Sequence, residues 1–156
     1  MYLIGFAIDN HLLEKTNDYQ KIGGQKLKLG YKIVAHSDGD IVYHAIAEAL
    51  LGAIGSNDLG EIFPDTDSNN KNIDSRKIID YVLNLMNKKY VINNIDITII
   101  CDCIYFANYR SQILDNLKKV IQNTQITLKF TRFEKNDTSS ITCYANTIIQ
   151  KLNINF

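Results

Sequence analysis

The sequence predicts an α+β fold in which helices cover one face of a sheet. Three observations support this class. Residues 2–9 and 91–103 alternate between apolar and other side chains, as half-buried strands do. Residues 40–53 and 74–88 repeat apolar side chains at the spacing of amphipathic helices. The two kinds of segment also interleave along the chain.

Composition predicts one folded domain spanning residues 1–156. Apolar residues make up 46% and charged residues 22%, and the single proline leaves no linker of the Pro/Gly/Ser type. Lys and Arg number 17, as do Asp and Glu, so no global basic field attracts nucleic acid. No apolar run approaches the ~20 residues that span a bilayer, so we expect no membrane partner. The N-terminus shows no leader, which predicts a cytoplasmic protein, or a plastid one if a leader has been removed.

The first strand offers two faces with different chemistry. Its large apolar residues Ile4, Phe6 and Ile8 are predicted to face the core. The other face carries small residues and then ligating ones, and it comprises Gly5, Ala7, Asp9 and finally His11.

Further along, the pattern predicts the remaining elements in order. Residues 14–32 read as loops with a short hairpin, and Ser37-Asp38-Gly39-Asp40 as the entry to the helix that ends near 52–53. A loop over 57–72 then precedes the 74–88 helix. The segments after the 91–103 strand are predicted as a helix over 108–122, a strand over 126–133 and a closing helix over 141–152.

Three residues form a candidate metal site. Asp9 and His11 lie two apart on a strand and therefore point to the same side, and His44 in the first helix supplies a third ligand. Zinc accepts one carboxylate and two imidazoles, with a fourth position left for water or substrate oxygen. The alternative is that His11 caps a turn and His44 is a hydrogen-bonded helix histidine. Glu48, one turn later, either orients His44 or belongs to a solvated helix face.

Other polar residues near this site leave more than one reading open. His36 and Ser37, at a helix N-terminus, either bind a phosphate or cap the helix. Asp58, Asp65 and Asp67 either bind hydroxyl groups or Mg²⁺, or solvate their loop. Glu134, at a strand end, is a candidate ligand for a second, hard metal. Cys101 and Cys103 share a strand face, where reduced packing thiols are favoured over a soft-metal pair.

The run AHSDGDIVYHAIAEALLGA, followed by DLGEIFPDTD and by DSR at 74–76, resembles the 2-C-methyl-D-erythritol 2,4-cyclodiphosphate synthase family. The opening GFAIDNH and the strand IDITII are similar to that family as well. The resemblance implies a homotrimer of ferredoxin-like α/β subunits with active sites between neighbours. It implies cyclisation of a CDP-methylerythritol phosphate, in which the 2-phosphate attacks the β-phosphorus and CMP leaves.

The resemblance also implies roles for particular residues. Zn²⁺ would lie on Asp9, His11 and His44, and Mg²⁺ or Mn²⁺ on Glu134, because TRFEK resembles the family's TTTEK. His36 and Glu134 would act in catalysis. Substrate contacts would come from Asp9, His11, His36, Ser37, Asp58, Gly60, Phe63, Asp65, Asp67, Thr131 and Glu134.

The second half departs from the family pattern. The segment Cys101–Phe106 replaces the family's A-x-x-P-K-M run, and Arg132 and Phe133 replace two threonines. Arg132 is a candidate to supply positive charge to a phosphate. Two rival functions follow: a relative that binds a diphosphate without cyclising it, and a metal-dependent phosphohydrolase that releases inorganic phosphate.

Overall fold

The structure, a computed structural model, describes residues 1–133 and 139–153. Its strands are β1 (Tyr2–Lys15), β2 (Gln20–Ile22), β3 (Gln25–Leu27), β4 (Tyr31–Ile33), β5 (Tyr90–Cys101), β6 (Gln125–Thr131) and β7 (Ser140–Lys151). Five of them form one sheet in the order β4-β1-β7-β5-β6, and β2 and β3 form a separate hairpin. The pair β5 and β6 is parallel, whereas β7 runs antiparallel to both β1 and β5.

The helices are α1 (Ile41–Ile54), α2 (Leu59–Ile62), α3 (Ser75–Met86) and α4 (Arg110–Val120), with short 3₁₀ turns at Ser68–Asn70 and Phe106–Tyr109. The apolar faces of α1, α3 and α4 pack with alternate residues of the sheet in one core, which includes Ile46, Ile79, Ile97 and Leu117. The prediction of an α+β fold with helices over one sheet face is therefore confirmed. No helix within the described ranges is long and apolar enough to cross a membrane.

The predicted faces of β1 are the wrong way round. Ile4, Phe6 and Ile8 are 74%, 55% and 52% exposed, whereas Gly5 and Ala7 are buried beneath α1. The small residues face inward because α1 packs very close to the sheet at this point, so that a Cβ on Gly5 would lie 1.8 Å from the backbone oxygen of Ala49. Alternation alone gives the two faces of a strand but not which of them the helix covers.

The predicted closing helix over 141–152 is also wrong, because this segment is β7 at the centre of the sheet. Buried residues follow a period of two from Ile141 to Ile149, which is the strand pattern. They are Ile141, Cys143, Ala145, Thr147 and Ile149, and Thr142 is buried in addition. The β-branched residues among them also favour a strand.

The other predicted helices and strands are confirmed, although β1 continues to Lys15 and the loop predicted over 57–72 contains α2 and a 3₁₀ turn. A buried carboxylate fixes the entry to α1: Asp40 accepts from the backbone N–H groups of Gly23, Gly24 and Tyr43 at 2.8, 2.6 and 3.1 Å. Gly23 and Gly24 have φ of 58° and 78°, as a two-residue β-hairpin turn requires. The predicted hairpin is thus the β2–β3 turn, and Asp40 ties it to the start of α1.

Candidate active site

A cavity of about 210 Å³ opens between the middle of β1, the segment before α1, and the loop that contains α2. Residues from distant parts of the sequence line it. They include Asp9, His11, His36, Ser37, His44, Gly60, Phe63 and Asp65, with apolar walls from Ile73 and Ile78. The strand and the helix thus bring Asp9, His11 and His44 to one cavity, while their convergence on a single cation stays a prediction.

Asp9 and His11 form a pair on β1. The His11 Nε2 atom lies 3.0 Å from Asp9 Oδ1, and its Nδ1 atom lies 3.0 Å from the backbone oxygen of Val34. The hydrogen bond to the Asp9 carboxylate raises the pKa of His11 above its ordinary value. The second carboxylate oxygen, Asp9 Oδ2, is buried and finds no hydrogen-bond partner among the described residues. A buried carboxylate oxygen without a partner is costly, which points to a missing cationic or proton-donating ligand.

His44 lies across the cavity on α1, which Asp40 caps one turn earlier. The His44 Nε2 atom is 2.9 Å from the hydroxyl oxygen of Ser75 and 3.3 Å from that of Ser37. Burial lowers the pKa of His44, even though the carboxylates of Asp9 and Asp38 act in the opposite direction. A neutral imidazole is the form that ligates a metal.

The donor set suits a zinc ion, but it is not assembled around a single point. Within 1–133 and 139–153, no three His, Cys, Asp or Glu side chains lie close enough together to hold a metal. Instead, Asp9 and His11 bond to each other, and His44 bonds to serines. Asp9 Oδ2, which has no hydrogen-bond partner in 1–133 and 139–153, and the shared cavity wall nevertheless fit the chemistry of a two-imidazole, one-carboxylate site.

His36 and Ser37 both line the cavity, in the segment that leads into α1. The helix begins at Ile41, and Asp40 rather than Ser37 caps it through Tyr43 N–H. Ser37 Oγ accepts from the backbone N–H of Gly39 at 3.1 Å, while His36 is exposed. The N-cap alternative is therefore wrong for Ser37, and the phosphate role of the two residues stays a prediction.

The loop after α1 contributes part of its predicted set. Gly60, Phe63 and Asp65 line the cavity. Asp58 and Asp67 instead cap short helical turns, accepting from Glu61 N–H and Asn69 N–H at 2.9 Å each. In this structure Asp58 and Asp67 thus order the loop.

Glu48 neither orients His44 nor belongs to a solvated helix face, the two alternatives that its spacing left open. Its Oε2 atom accepts from the backbone N–H of Leu59 at 2.9 Å, and burial raises its pKa. The side chain therefore anchors the start of α2 to α1. It contributes to the cavity indirectly, by holding the loop that closes one side.

Thr131 and Arg132 lie elsewhere. They line a second cavity of about 190 Å³, between the end of β6 and the turn before α4. Its floor is aromatic: the rings of Phe106 and Phe130 stack with centroids 5.7 Å apart, and the Arg110 guanidinium lies 5.1 Å from the Phe130 centroid. Within one chain, Arg132 is therefore not part of the cavity that contains Asp9. Glu134 lies outside the described residues.

The sequence did not predict that Asp38 and Ser75 contribute to this site. Asp38 was assigned only to the helix entry, and Ser75 only to the run at 74–76. The Ser75 hydroxyl donates to Asp38 Oδ1 and also contacts His44, although α3 begins 31 residues after His44. The signal that was available is the motif Asp74-Ser75-Arg76. This motif points to the site only if the first turns of α1 and α3 lie side by side. The spacing of residues along the sequence does not reveal that.

Together, the fold and the cavity define a small α+β protein with a cavity whose carboxylates and imidazoles are the donor types of a metal site. A family comparison agrees: the model of the YgbB family matches residues 2–150. The chain belongs to that family, and the resemblance seen in the sequence is confirmed.

Relatives and solved structures carry the same likeness. The chain is 38% identical over 135 residues to the 2-C-methyl-D-erythritol 2,4-cyclodiphosphate synthase of Acinetobacter baylyi, covering 85% of this chain and 82% of that one. It is 34% identical to the synthase of the same name from Hydrogenobaculum, over 97% and 99% of the two chains. A Plasmodium falciparum IspF solved with CDP superimposes with a TM-score of 0.83 at 31% identity, over 97% of both chains.

Proposed function

We propose that this protein is a cyclodiphosphate synthase of the non-mevalonate isoprenoid pathway. It converts 4-diphosphocytidyl-2-C-methyl-D-erythritol 2-phosphate into 2-C-methyl-D-erythritol 2,4-cyclodiphosphate and CMP. The observation that supports the proposal most strongly is the single cavity shared by Asp9, His11, His36, Ser37 and His44 in a chain of this family. The family match over 2–150 also supports one domain across the chain.

The reaction needs alignment and neutralised charge rather than a side-chain nucleophile. A 2-phosphate oxygen forms a bond to the β-phosphorus while the bond from that phosphorus to the CMP oxygen breaks, and both ends belong to one substrate. Holding those ends together replaces a bimolecular encounter, and fixed positive groups offset the developing charge. His36 and Ser37 are the donors in this cavity that would bind the 2-phosphate, and Phe63 with Asp65 would contact the methylerythritol part.

Asp9, His11 and His44 would hold a zinc ion, and Glu134 a Mg²⁺ or Mn²⁺ ion on the diphosphate. Bound there, the cations would supply Lewis-acid charge to phosphate oxygens. Because the pKa of His11 is raised, protons compete with zinc for its ring at a higher pH than they would at an unperturbed histidine.

A homotrimer with sites between subunits is part of the proposal. The outer face of β1 and β7 exposes a contiguous apolar surface, formed by Ile4, Phe6, Ile8 and Ile148. Such a surface is typical of an interface. Thr131 and Arg132 border a cavity separate from Asp9 within one chain, so a neighbouring subunit is needed to bring them to the same substrate. Thr131 would then contact the diphosphate and Arg132 would add positive charge.

The compartment is proposed from the relatives alone. We infer a cytoplasmic enzyme like its bacterial relatives, with a plastid-type organelle as the alternative, because one relative is described as an apicoplast enzyme of Plasmodium falciparum.

The deciding experiment supplies the purified protein with the CDP substrate, Zn²⁺ and Mg²⁺, and follows products by mass spectrometry. We expect equimolar CMP and cyclodiphosphate. Release of inorganic phosphate without cyclic product would identify a phosphohydrolase instead. Tight binding without turnover would identify a non-catalytic relative, the second candidate, which the departures from the family pattern at Cys101–Phe106, Arg132 and Phe133 favour.

A further inference from the structure

A chain of polar contacts leads from the β2–β3 hairpin to the wall of the cavity. The Lys21 ammonium lies 3.1 Å from Asp38 Oδ2. The Ser75 hydroxyl donates to Asp38 Oδ1, and Ser75 Oγ lies 2.9 Å from His44 Nε2. Ser75 is fully buried at 0% exposure, so water does not compete for its hydroxyl group. The four side chains come from four different segments and meet only in the folded protein.

The direction of each hydrogen bond in this chain follows from the chemistry of its members. A serine hydroxyl has one proton, and an ionised carboxylate offers only lone pairs. Because Ser75 gives its proton to Asp38, it presents a lone pair to His44. The 2.9 Å contact is then a hydrogen bond only if Nε2 of His44 carries a proton.

Asp38 is held as the acceptor by two further donors on its other oxygen. Asp38 Oδ2 receives the Lys21 ammonium and, at 3.2 Å, the backbone N–H of Ser75. Backbone bonds fix the two segments together: Asp38 N–H donates to Ile73 O at 3.1 Å, and Asn72 N–H donates to His36 O at 2.9 Å. The carboxylate therefore cannot turn away from Ser75 without breaking several bonds.

We propose that Lys21, Asp38 and Ser75 are positioning residues that fix His44 in its Nε2-protonated tautomer. In that tautomer, Nδ1 is the ring nitrogen with a free lone pair for a ligand. Ser37 Oγ lies 3.3 Å from Nε2, and a protonated Nε2 cannot accept a hydrogen bond from the Ser37 hydroxyl. The Ser37 hydroxyl proton is thereby available to an anion in the cavity that Ser37 lines. The nature of the ligand rests on the proposed function, whereas the tautomer does not.

The test is the tautomer of His44 in the full chain stripped of metal, read from long-range ¹H–¹⁵N spectra at mildly alkaline pH. Variants of His11 and His36 assign the three ring systems. We expect the unprotonated ¹⁵N shift at Nδ1 and the protonated shift at Nε2. An Nδ1-protonated ring, or an even mixture, in the unsubstituted protein would overturn the proposal.

Asp38→Asn should reverse the tautomer. The amide oxygen is expected on the side of Lys21 and Ser75 N–H, which both donate, because the other side carries only the longer 3.3 Å contact from Asp40 N–H besides the Ser75 hydroxyl. The amide nitrogen then faces Ser75 Oγ and donates to it, which releases the hydroxyl proton toward His44. We therefore expect Nε2 of His44 to lose its proton and Nδ1 to gain one. A His44 spectrum unchanged by Asp38→Asn would overturn the proposal.

Asp74→Asn is the matched control. Asp74 also pairs with Lys21, at 3.0 Å, and caps α3, but its carboxylate does not contact Ser75 Oγ in the described contacts. It removes the same charge beside the same lysine, and Asn caps helices as well as Asp does. We expect the tautomer to be unchanged in Asp74→Asn. Ser75→Thr should retain it, and Ser75→Ala should abolish the preference.

The outcomes separate this inference from the proposed function. If the spectra show the Nε2-protonated ring and its reversal in Asp38→Asn, the inference is upheld even in a protein that binds no zinc and forms no CMP. If cyclodiphosphate forms but His44 carries its proton on Nδ1, the proposed function is upheld and the inference is not.

Discussion

The Cα of Gly5 on β1 packs so closely against α1 that a Cβ at this position would lie 1.8 Å from the backbone oxygen of Ala49. The atom in the way belongs to the backbone and cannot rotate aside as the end of a side chain can. A Cβ at residue 5 would therefore force either the helix or the strand to move. We expect Gly5→Ala to lower the free energy of unfolding by at least about 3 kcal/mol, at the upper end of overpacking costs. Urea unfolding monitored by circular dichroism measures this.

Gly52→Ala is the control for that substitution. Gly52 is an exposed glycine on α1, and no atom of the described residues lies within 4 Å of where its Cβ would be. Alanine there should raise stability by roughly 0.5–1 kcal/mol through helix propensity. Equal effects at the two positions would mean that α1 does not pack on β1 as described.

The buried carboxylate of Asp40 predicts a specific pH dependence. Burial raises its pKa from the ordinary 3.8 to about 6, in spite of three backbone N–H donors. Because the folded state holds the proton more tightly, the contribution of Asp40 to stability is largest below the unfolded pKa. That contribution falls by roughly 3 kcal/mol as pH rises through the folded pKa. Asp40→Asn cannot titrate, so the stability cost of this substitution should shrink between pH 4 and pH 7.

Comparing the two proteins at each pH cancels the titration of all other groups, provided that they do not contact Asp40. Unfolding free energies over this range provide the measurement. A cost that grows with pH would mean that the N–H groups of Gly23, Gly24 and Tyr43 outweigh burial and favour the ionised carboxylate.

The sequence predicted α1 and the pairing of Asp9 with His11 because the relevant signals are local. Helix α1 has its cap and apolar repeat in consecutive residues, and the D-x-H pair needs only the period of a strand. The orientation of β1 and the identity of β7 were mispredicted because both depend on what packs beside them. Ser75 was missed for the same reason: its contact with His44 depends on how α3 packs against α1.

Asp9→Asn should weaken zinc binding at least ~10-fold, since it removes the ligand charge while leaving the size of the side chain unchanged. We expect the zinc to bind the buried Asp9 Oδ2, because this oxygen has no hydrogen-bond partner among the described residues. Competition with a chromophoric chelator measures the affinity. Asp58→Asn is the control, since Asp58 caps α2 and Asn caps equally well. Equal zinc affinity in the two variants would remove Asp9 from the metal site.

The apolar outer face of β1 predicts self-association. Phe6 is 55% exposed, and its ring lies 6.2 Å from that of Tyr144 on the neighbouring strand. A charge in the centre of this surface would have to be desolvated on assembly, so Phe6→Asp should yield monomers by analytical ultracentrifugation. Tyr19→Asp, at a residue that lies outside the sheet and is 67% exposed, should leave the oligomer intact. Trimeric Phe6→Asp protein would show that subunits meet elsewhere.

Arg132 and Asp9 border separate cavities of one chain, which predicts that they act together only across a subunit boundary. Arg132→Ala alone should lower kcat/KM at least ~10-fold and change stability by no more than about 0.5 kcal/mol, since Arg132 is exposed. Co-expressing Asp9→Asn with Arg132→Ala should restore activity, because about one quarter of the sites in random mixed trimers combine two intact halves. Co-expressing Asp9→Asn with His44→Gln is the control. Both residues line the same cavity of one chain, so this mixture should restore no activity. Failure of the first mixture to exceed the second, in trimers shown to be mixed by mass spectrometry, would confine each active site to a single chain.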